Sequence, residues 1–189
     1  GFSGHDETIR AEGVSSIPEG VSPRFYHVVT PDYLATVRLP VIAGRALTAS
    51  DRAGAERVAL INKHSAERLW PGTSAIGKHI KLGSADSLPW ITIVGIVSDV
   101  AERGRPRDYA YVPFDQAPGG PVTLLVRAKD DPLKLISGVR AAVREVDQDL
   151  PIVGLQSVEQ QHNDNLSPYK VYAMSMAVFA AFAIVLAAI

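Results

Sequence analysis

Residues 90–97 read WITIVGIV. Apolar side chains fall on both alternating faces of this run, so it reads as a strand covered on both sides, at the centre of a sheet. Working outward on its N-terminal side, 57–61 (RVALI) reads as a second strand. Asn62 then caps a helix through Trp70 whose packing face is Ala66, Leu69 and Trp70, and Pro71-Gly72 ends it. Residues 78–82 (KHIKL) alternate polar and apolar, as a half-buried strand does, and 83–87 turn the chain back toward the central run. On the C-terminal side, 109–114 (YAYVPF) suits a strand, with Pro113 at its end or on an edge because proline cannot donate to a ladder. The intervening loop, 102–108, carries Arg103, Arg105 and Arg107. It reads as a solvated loop, with contact to a partner or to lipid headgroups as the alternative.

Further toward the N-terminus, 24–29 (RFYHVV) is aromatic and branched enough for a strand. Thr30 is the expected N-cap of a short helix with Pro31 at its first position, where the missing N–H is not needed, and with Tyr33, Leu34 and Val37 as its apolar side. Residues 39–42 lead into a turn at Ala43-Gly44-Arg45. Residues 1–20 are polar and without sustained period, a lead-in whose one candidate element is an edge strand.

Residues 116–121 (QAPGGP) form the clearest break, after which 122–128 (VTLLVRA) reads as a strand. Asp131-Pro132 opens a helix in which Ile136, Val139, Val143 and Val146 recur at three- and four-residue steps. A short strand is expected at 152–155. Ser157 and Gln160 then stand at the spacing of a capping box, where serine and glutamine each bond the other's backbone N–H. The helix so capped runs from 158 toward Leu166, and Ser167-Pro168 either caps a new helix or kinks a continuous one.

Residues 171–189 read VYAMSMAVFAAFAIVLAAI and hold no charge. As a helix they rise about 28 Å at about 1.5 Å per residue, close to the ~30 Å hydrocarbon core of a bilayer. A buried helix of a soluble domain usually keeps a polar face, whereas here only Tyr172 and Ser175 interrupt, so the segment reads as a transmembrane helix. The residues before it, 151–170, contain a single Lys or Arg, Lys170. Cytoplasmic flanks are usually enriched in both, so the folded part is expected outside the cytoplasm. With no methionine at Gly1, no leader among the first residues and no polar flank after Ile189, the chain reads as a piece of a longer protein.

Composition excludes several function classes. The chain of 189 residues has a net charge of −1 and a pI near 6.6, which gives no basic footprint for nucleic acid. Without cysteine there is neither a disulfide framework nor a thiolate metal site. Residues 72–78 (GTSAIGK) satisfy the first seven positions of a phosphate-binding P-loop, but the eighth is His79, which cannot replace the hydroxyl that ligates magnesium. The context fails as well, because a helix end precedes and an alternating strand follows. The histidines, His5, His27, His64, His79 and His162, show no pair at metal-ligand spacing, and no Gly-x-Ser-x-Gly elbow occurs. No catalytic, cofactor-binding or metal-ligating residue is therefore nominated.

The phrases VTPDYLATVRLPVIAGRALT (29–48), RVALINKHSAERLWPGTSAIGKHIKLG (57–83), PWITIVGIVSDV (89–100) and DLPIVGLQSVEQQ (149–161), in that order before an apolar span, resemble the MacB-like periplasmic core domain of FtsX-like ABC transporter permeases. They look especially like the duplicated orphan permeases of that group. The resemblance covers about residues 20–189 and implies an α+β fold: a two-part extracytoplasmic α/β domain leading into a C-terminal transmembrane helix. In this division 1–19 is the lead-in, 20–52 with 120–157 a porter-like subdomain, 53–119 an inserted subdomain, 158–170 a stalk helix and 171–189 the span.

What the resemblance implies for function is a domain without chemistry of its own. A cytoplasmic ABC ATPase hydrolyses ATP, and movement of the membrane helices is passed to the domain on the outer face of the bacterial inner membrane. A dimeric permease and a periplasmic adaptor belong to the same picture, although orphan permeases carry no fused ATPase and so leave the need for one open. An extracytoplasmic sensor or ligand-binding domain of a signalling protein is the alternative, and a membrane-anchored enzyme a distant third. The transported substrate is not encoded in any pattern of these residues.

Overall fold

The computed structural model describes residues 5–6, 9–14, 25–83, 85–102, 105–119 and 121–160. In chain order its strands are β1 (His5–Asp6), β2 (Ile9–Ala11), β3 (Phe25–Val29), β4 (Val41–Gly44), β5 (Val58–Asn62), β6 (His79–Leu82), β7 (Ile91–Val97), β8 (Ala101–Glu102), β9 (Arg105–Pro106) and β10 (Tyr109–Pro113). Its helices are α1 (Tyr33–Val37), α2 (Lys63–Leu69) and α3 (Ile136–Val146), with short 3-10 turns at Phe114–Gln116 and Pro132–Leu135. The chain divides into two compact units, Gly1–Val126 and Arg127–Ile189.

In the first unit the sheet runs β1-β3-β10-β5-β7-β6-β2, with β4 also on β7. β7 is its hub. It pairs in parallel with β5 and antiparallel with β6 and β4, the latter two sharing one side of it end to end. β10 lies between β3, in parallel, and β5, antiparallel. This mixture of parallel and antiparallel pairs with short helices makes the fold α+β, as expected. Strands on both sides of the expected boundary near 52 share the sheet, since β3 bonds β10 and β4 bonds β7.

Why 90–97 is apolar on both faces is visible in the register. The β5–β7 pairing steps from Ala59↔Ile93 to Leu60↔Gly95, which leaves Val94 as an extra residue, and such a bulge reverses the alternation beyond it. Ile91, Ile93 and Ile96 accordingly face one core, while Val94 and Val97 face the other. The first core is completed by Ala59, Ile61, Ile80, Ala110 and Val112 and is covered by Ala66, Leu69 and Trp70 of α2. The second holds Val29, Val58, Leu60, Tyr109 and Tyr111 and is covered by Leu34 of α1 with Leu39 and Leu47 of the segment after it. Each fully buried Leu or Ile contributes roughly 1.5–3 kcal/mol, so these short helices are held by their packing and not by their own propensity.

Local chemistry sets the ends of the elements. Asn62 caps α2, its side-chain oxygen accepting from Ser65 N, and the helix ends one residue before the expected Trp70. α1 starts later than expected. The N–H of Tyr33 bonds the carbonyl of Thr30 at 3.0 Å, so Thr30-Pro31-Asp32 forms a turn before the helix, and Asp32 occupies the cap position without a side-chain bond. At its other end Arg38 takes a left-handed conformation (φ 56°) while Leu39 N bonds Leu34 O and Arg38 N bonds Ala35 O. That is a Schellman ending, made here without the usual glycine.

In the second unit Asp131 accepts from Leu133 N at 2.9 Å and Pro132 follows, which starts the helix as expected, first as a 3-10 turn and then as α3. Ile136, Val139 and Val143 are half-buried, whereas Val146 is 86% exposed. The capping box also forms: Gln160 N donates to Ser157 Oγ and Ser157 N to Gln160 Oε1, both at 3.1 Å, at the start of a helical turn from Val158.

Two expected strands are corrected. Residues 122–128, in which Val122 is 73% exposed, and 152–155, in which Val153 is 89% exposed, are not in strands. A run of β-formers becomes a strand only where a neighbouring backbone forms a ladder with it, and the described strands form no ladder with either run. Among those residues no helix is long and apolar enough to cross a membrane. The expected span at 171–189 and the stalk beyond residue 160 lie outside them.

Candidate functional site

The most highly built polar feature of the first unit joins α2 to the hairpin between β7 and β10. Asn62, fully buried at 0% exposure, ends β5 and caps α2, and both ends of its amide are in use. Its oxygen accepts from Ser65 Oγ (2.6 Å) and from Tyr109 N (3.0 Å). Its nitrogen donates to Asp99 Oδ1 (2.7 Å) and to the Arg107 carbonyl (2.8 Å). Asp99 Oδ1 also accepts from His64 N at 2.8 Å, so an acidic group sits on the first turn of α2, where the helix dipole favours it. Asp108 is buried, accepts from Arg68 Nε at 3.1 Å, has its second oxygen against Arg68 Nη2, and shares the single Ser65 hydroxyl proton with Asn62, its Oδ1 being the more distant acceptor at 3.1 Å.

This corrects the reading of 102–108 as a solvated loop. Its last residue, Asp108, is an internal ion-pair partner, and β8 pairs with β9 in register Ala101↔Pro106 and Glu102↔Arg105. Residues Ala101–Glu102 and Arg105–Pro106 therefore form a two-stranded arm. Removing one partner of a buried ion pair is costly because the other charge remains uncompensated, so Arg68 and Asp108 specify this geometry together.

Two further polar clusters hold loops to the sheet. Arg45 grips Asp51 with both terminal nitrogens at 2.8 Å, and Thr48 N donates to the same carboxylate at 2.8 Å. The Arg45 hydrogen bonds hold the Asp51 carboxyl below the ordinary carboxylate range. On the β2–β6 pair Arg10 and Lys81 are direct cross-strand neighbours of like charge. Asp86 relieves the repulsion, its carboxylate binding Arg10 at 2.7 Å and its carbonyl accepting from Lys81 Nζ at 2.7 Å, while the ammonium lies 4.7 Å from the centre of the Trp90 ring. Lys81, expected on the solvated face of its strand, is buried.

The remaining chemistry-bearing residues are placed by packing. His27 stacks on Tyr109 and Tyr111 at 5.5 and 5.7 Å between ring centres, and burial pushes the Tyr111 hydroxyl above the usual phenol value. His79 pairs with Glu12 at 2.6 Å, and His64 enters the polar cluster through its backbone. No metal-holding group of His, Asp and Glu occurs among the described residues.

The P-loop-like residues 72–78 form a tight connection into β6. Gly77 N bonds Ile93 O at 2.8 Å, Lys78 N bonds Ala75 O at 3.1 Å and Ile76 N bonds Ser74 Oγ at 3.2 Å. Amides that a phosphate would need are thus engaged within the protein. Missed by the sequence reading were Asp51, Lys81, Asp99 and Asp108. Only Asp108, a carboxylate between an arginine-rich run and an apolar strand, carried a local hint of burial.

The family described as MacB-like periplasmic core domain matches residues 7–149 of the chain. Among solved structures, the periplasmic region of MacB from Actinobacillus actinomycetemcomitans is 13% identical over 75% of this chain and 65% of its own, with a TM-score of 0.51. A permease-protein domain from Porphyromonas gingivalis is 16% identical over 81% of this chain and 75% of its own, also at 0.51. The extracellular domain of the noncanonic ABC-type transporter YknZ from Gram-positive bacteria is 23% identical over 59% of this chain, at 0.43. The chain spans 51% of that YknZ domain. For the MacB and Porphyromonas gingivalis structures the likeness at these identities is one of fold. No curated protein matches the chain.

Proposed function

The chain belongs to the family of MacB-like periplasmic core domains, and from that premise we propose that it is the extracytoplasmic domain of an ABC-type permease subunit, coupling movement of membrane helices to export or transport on the outer face of the membrane. The family match over residues 7–149 is the observation that carries this reading. The capping box at Ser157 and Gln160 supports the coupling part of it, because two reciprocal bonds start a helical turn at 158–160, where a glycine-rich tether would offer no such cap.

In this reading residues 158–170 form a stalk and 171–189 the span that anchors the domain in the bacterial inner membrane. The permease acts as a dimer with a cytoplasmic ABC ATPase, and a periplasmic adaptor engages the outer domain. The domain itself catalyses nothing and needs no cofactor. The division into a porter-like part (20–52 with 120–157) and an inserted part (53–119), and the assignment to the orphan type, rest on the sequence resemblance alone.

A short Gly/Ser insertion after Leu166 in the intact permease tests the coupling. Export is expected to fall while the domain stays folded and ATPase activity persists; export at the parental rate would reduce the domain to a passive platform. Its location is read independently by a cysteine at Ala128. That thiol is expected to react with a membrane-impermeant maleimide in intact cells, and labelling only after lysis would place the domain on the wrong side.

A further inference from the structure

We propose that the side-chain amide of Asn62 is a latch that fastens the 99–108 hairpin to helix α2, so that hairpin and helix move as one body and are released together when the amide's two donor bonds are lost. The observation is geometric. One buried nitrogen donates to Asp99 Oδ1 at the start of the hairpin and to the Arg107 carbonyl at its end, 2.7 and 2.8 Å away. Both ends are also secured to the same helix, Asp99 to its first turn through His64 N and Asp108 to its last turn through the Arg68 guanidinium, with Ser65 Oγ between. The two-stranded sheet of β8 and β9 is separate from the main sheet, so no ladder bond of the described strands ties the arm to the hub. Beside the backbone bond from Ser98 N to the Pro40 carbonyl at its base, the hairpin is therefore anchored from the helix side.

Asn62 has two separable duties. Its oxygen serves α2 and β10 by accepting from Ser65 and Tyr109 N, and its nitrogen serves the hairpin. Asn62→Asp separates them. The new carboxylate keeps the acceptor and remains a good N-cap, but it turns an oxygen toward the Asp99 carboxylate and the Arg107 carbonyl, replacing two attractions with repulsions. Pairing it with Asp99→Asn returns a donor to the Asp99 side, since the amide placed there can donate back, although an NH2 in place of Oδ1 gives up the bond from His64 N. The latch then predicts release in the single variant and partial recapture in the pair.

Hydrogen exchange read by mass spectrometry on the whole chain tests this. In Asn62→Asp, amides of 98–102, of 105–108 and of the first turn of α2 are expected to exchange at least about tenfold faster, the scale of losing a hydrogen bond to a charged group, while β2 and β6 keep their parental rates. The paired variant is expected to recover part of that protection. Unchanged exchange at 98–102 and 105–108 would overturn the proposal, as would equal acceleration throughout the sheet, which would make Asn62 merely a core residue. Should Asn62→Asp fail to fold, Asp99→Ala decides instead, because Asp99 is exposed and its removal buries no charge. Faster exchange confined to 98–102, 105–108 and 63–65 supports the latch, and parental rates there reject it.

Discussion

Gly44 and Gly95 stand opposite each other where β4 pairs with β7, and neither position has room for a side chain. A Cβ on Gly95 would overlap the Arg45 carbonyl oxygen and lie 2.8 Å from Leu60 Cδ2; one on Gly44 would overlap the Val94 carbonyl oxygen and lie 2.8 Å from Ile76 Cδ1. Gly44 also has φ +73°. β7 bulges at Val94, the residue before Gly95, and β4 shifts register between Val41 and Ala43, just before Gly44. Gly95→Ala is expected to lower stability by about 3 kcal/mol, the upper part of the usual range for overpacking, since backbone must move to admit the methyl group. Urea unfolding of the chain measures it, and a loss of less than about 1 kcal/mol would mean that the strands can separate without penalty.

The opposite sign is expected at Gly138. It lies inside α3 with nothing within 4 Å of a built Cβ and without a positive φ. Gly138→Ala is expected to stabilise the helix by about 1 kcal/mol, because alanine loses less backbone entropy there. Slower exchange of the α3 amides is the readout.

Acid should act on the 45–51 loop through Asp51. Its folded carboxyl is depressed by the Arg45 hydrogen bonds, so its stabilising contribution is complete above the unfolded value of about 3.9 and is lost as pH falls from there through the lower folded value. Asp51→Asn removes that contribution and is expected to flatten the fall in stability below about pH 4 while leaving the slope above pH 5 unchanged. Arg45 is half-exposed, so added salt should weaken the difference between the two proteins. Melting temperatures across this range, with and without salt, check both statements.

How far the sequence could be read depended on the distance over which each bond acts. Caps at Asn62, Asp131 and Ser157 were legible because each is decided within three residues, and the strands at 25–29, 58–62 and 91–97 because their side chains carry the pattern. Thr30 misled because a Thr-Pro pair serves a turn as readily as a helix start. The second role of Asn62 was hidden, since Asp99 and Arg107 lie 37 and 45 residues away and nothing near Asn62 announces them. Gly44 was read as a turn residue for its flexibility, whereas its pairing across from Gly95 also requires the absence of a side chain. The apolar runs at 122–128 and 152–155 show the reverse failure: composition suited a strand, but pairing is a property of a neighbour and cannot be read from the run itself.

The capping box is open to a direct test. Ser157→Ala removes the acceptor for Gln160 N and is expected to cost the helix start about 1 kcal/mol, seen as faster exchange of the amides at 158–160. Ser157→Asp keeps an acceptor and should restore protection. Equal loss in both variants would show that something other than the cap holds this turn.

The last expectation concerns nucleotide. Residues 72–78 satisfy most of a P-loop pattern, yet a P-loop works by turning several free backbone N–H groups toward phosphate at the start of a helix. Here the N–H of Ile76 is taken by Ser74, that of Gly77 by Ile93 and that of Lys78 by Ala75, and the next element is β6. Binding phosphate would require breaking the Gly77–Ile93 bond, which also fixes this connection against β7, for a ligand whose magnesium has no hydroxyl at position 79 to hold it. Labelled ATP with magnesium is therefore expected to show no saturable binding to the chain. A saturable signal that disappears in Lys78→Ala would mean that the connection opens to expose its amides, and the assignment of a purely structural role to residues 72–78 would have to be withdrawn.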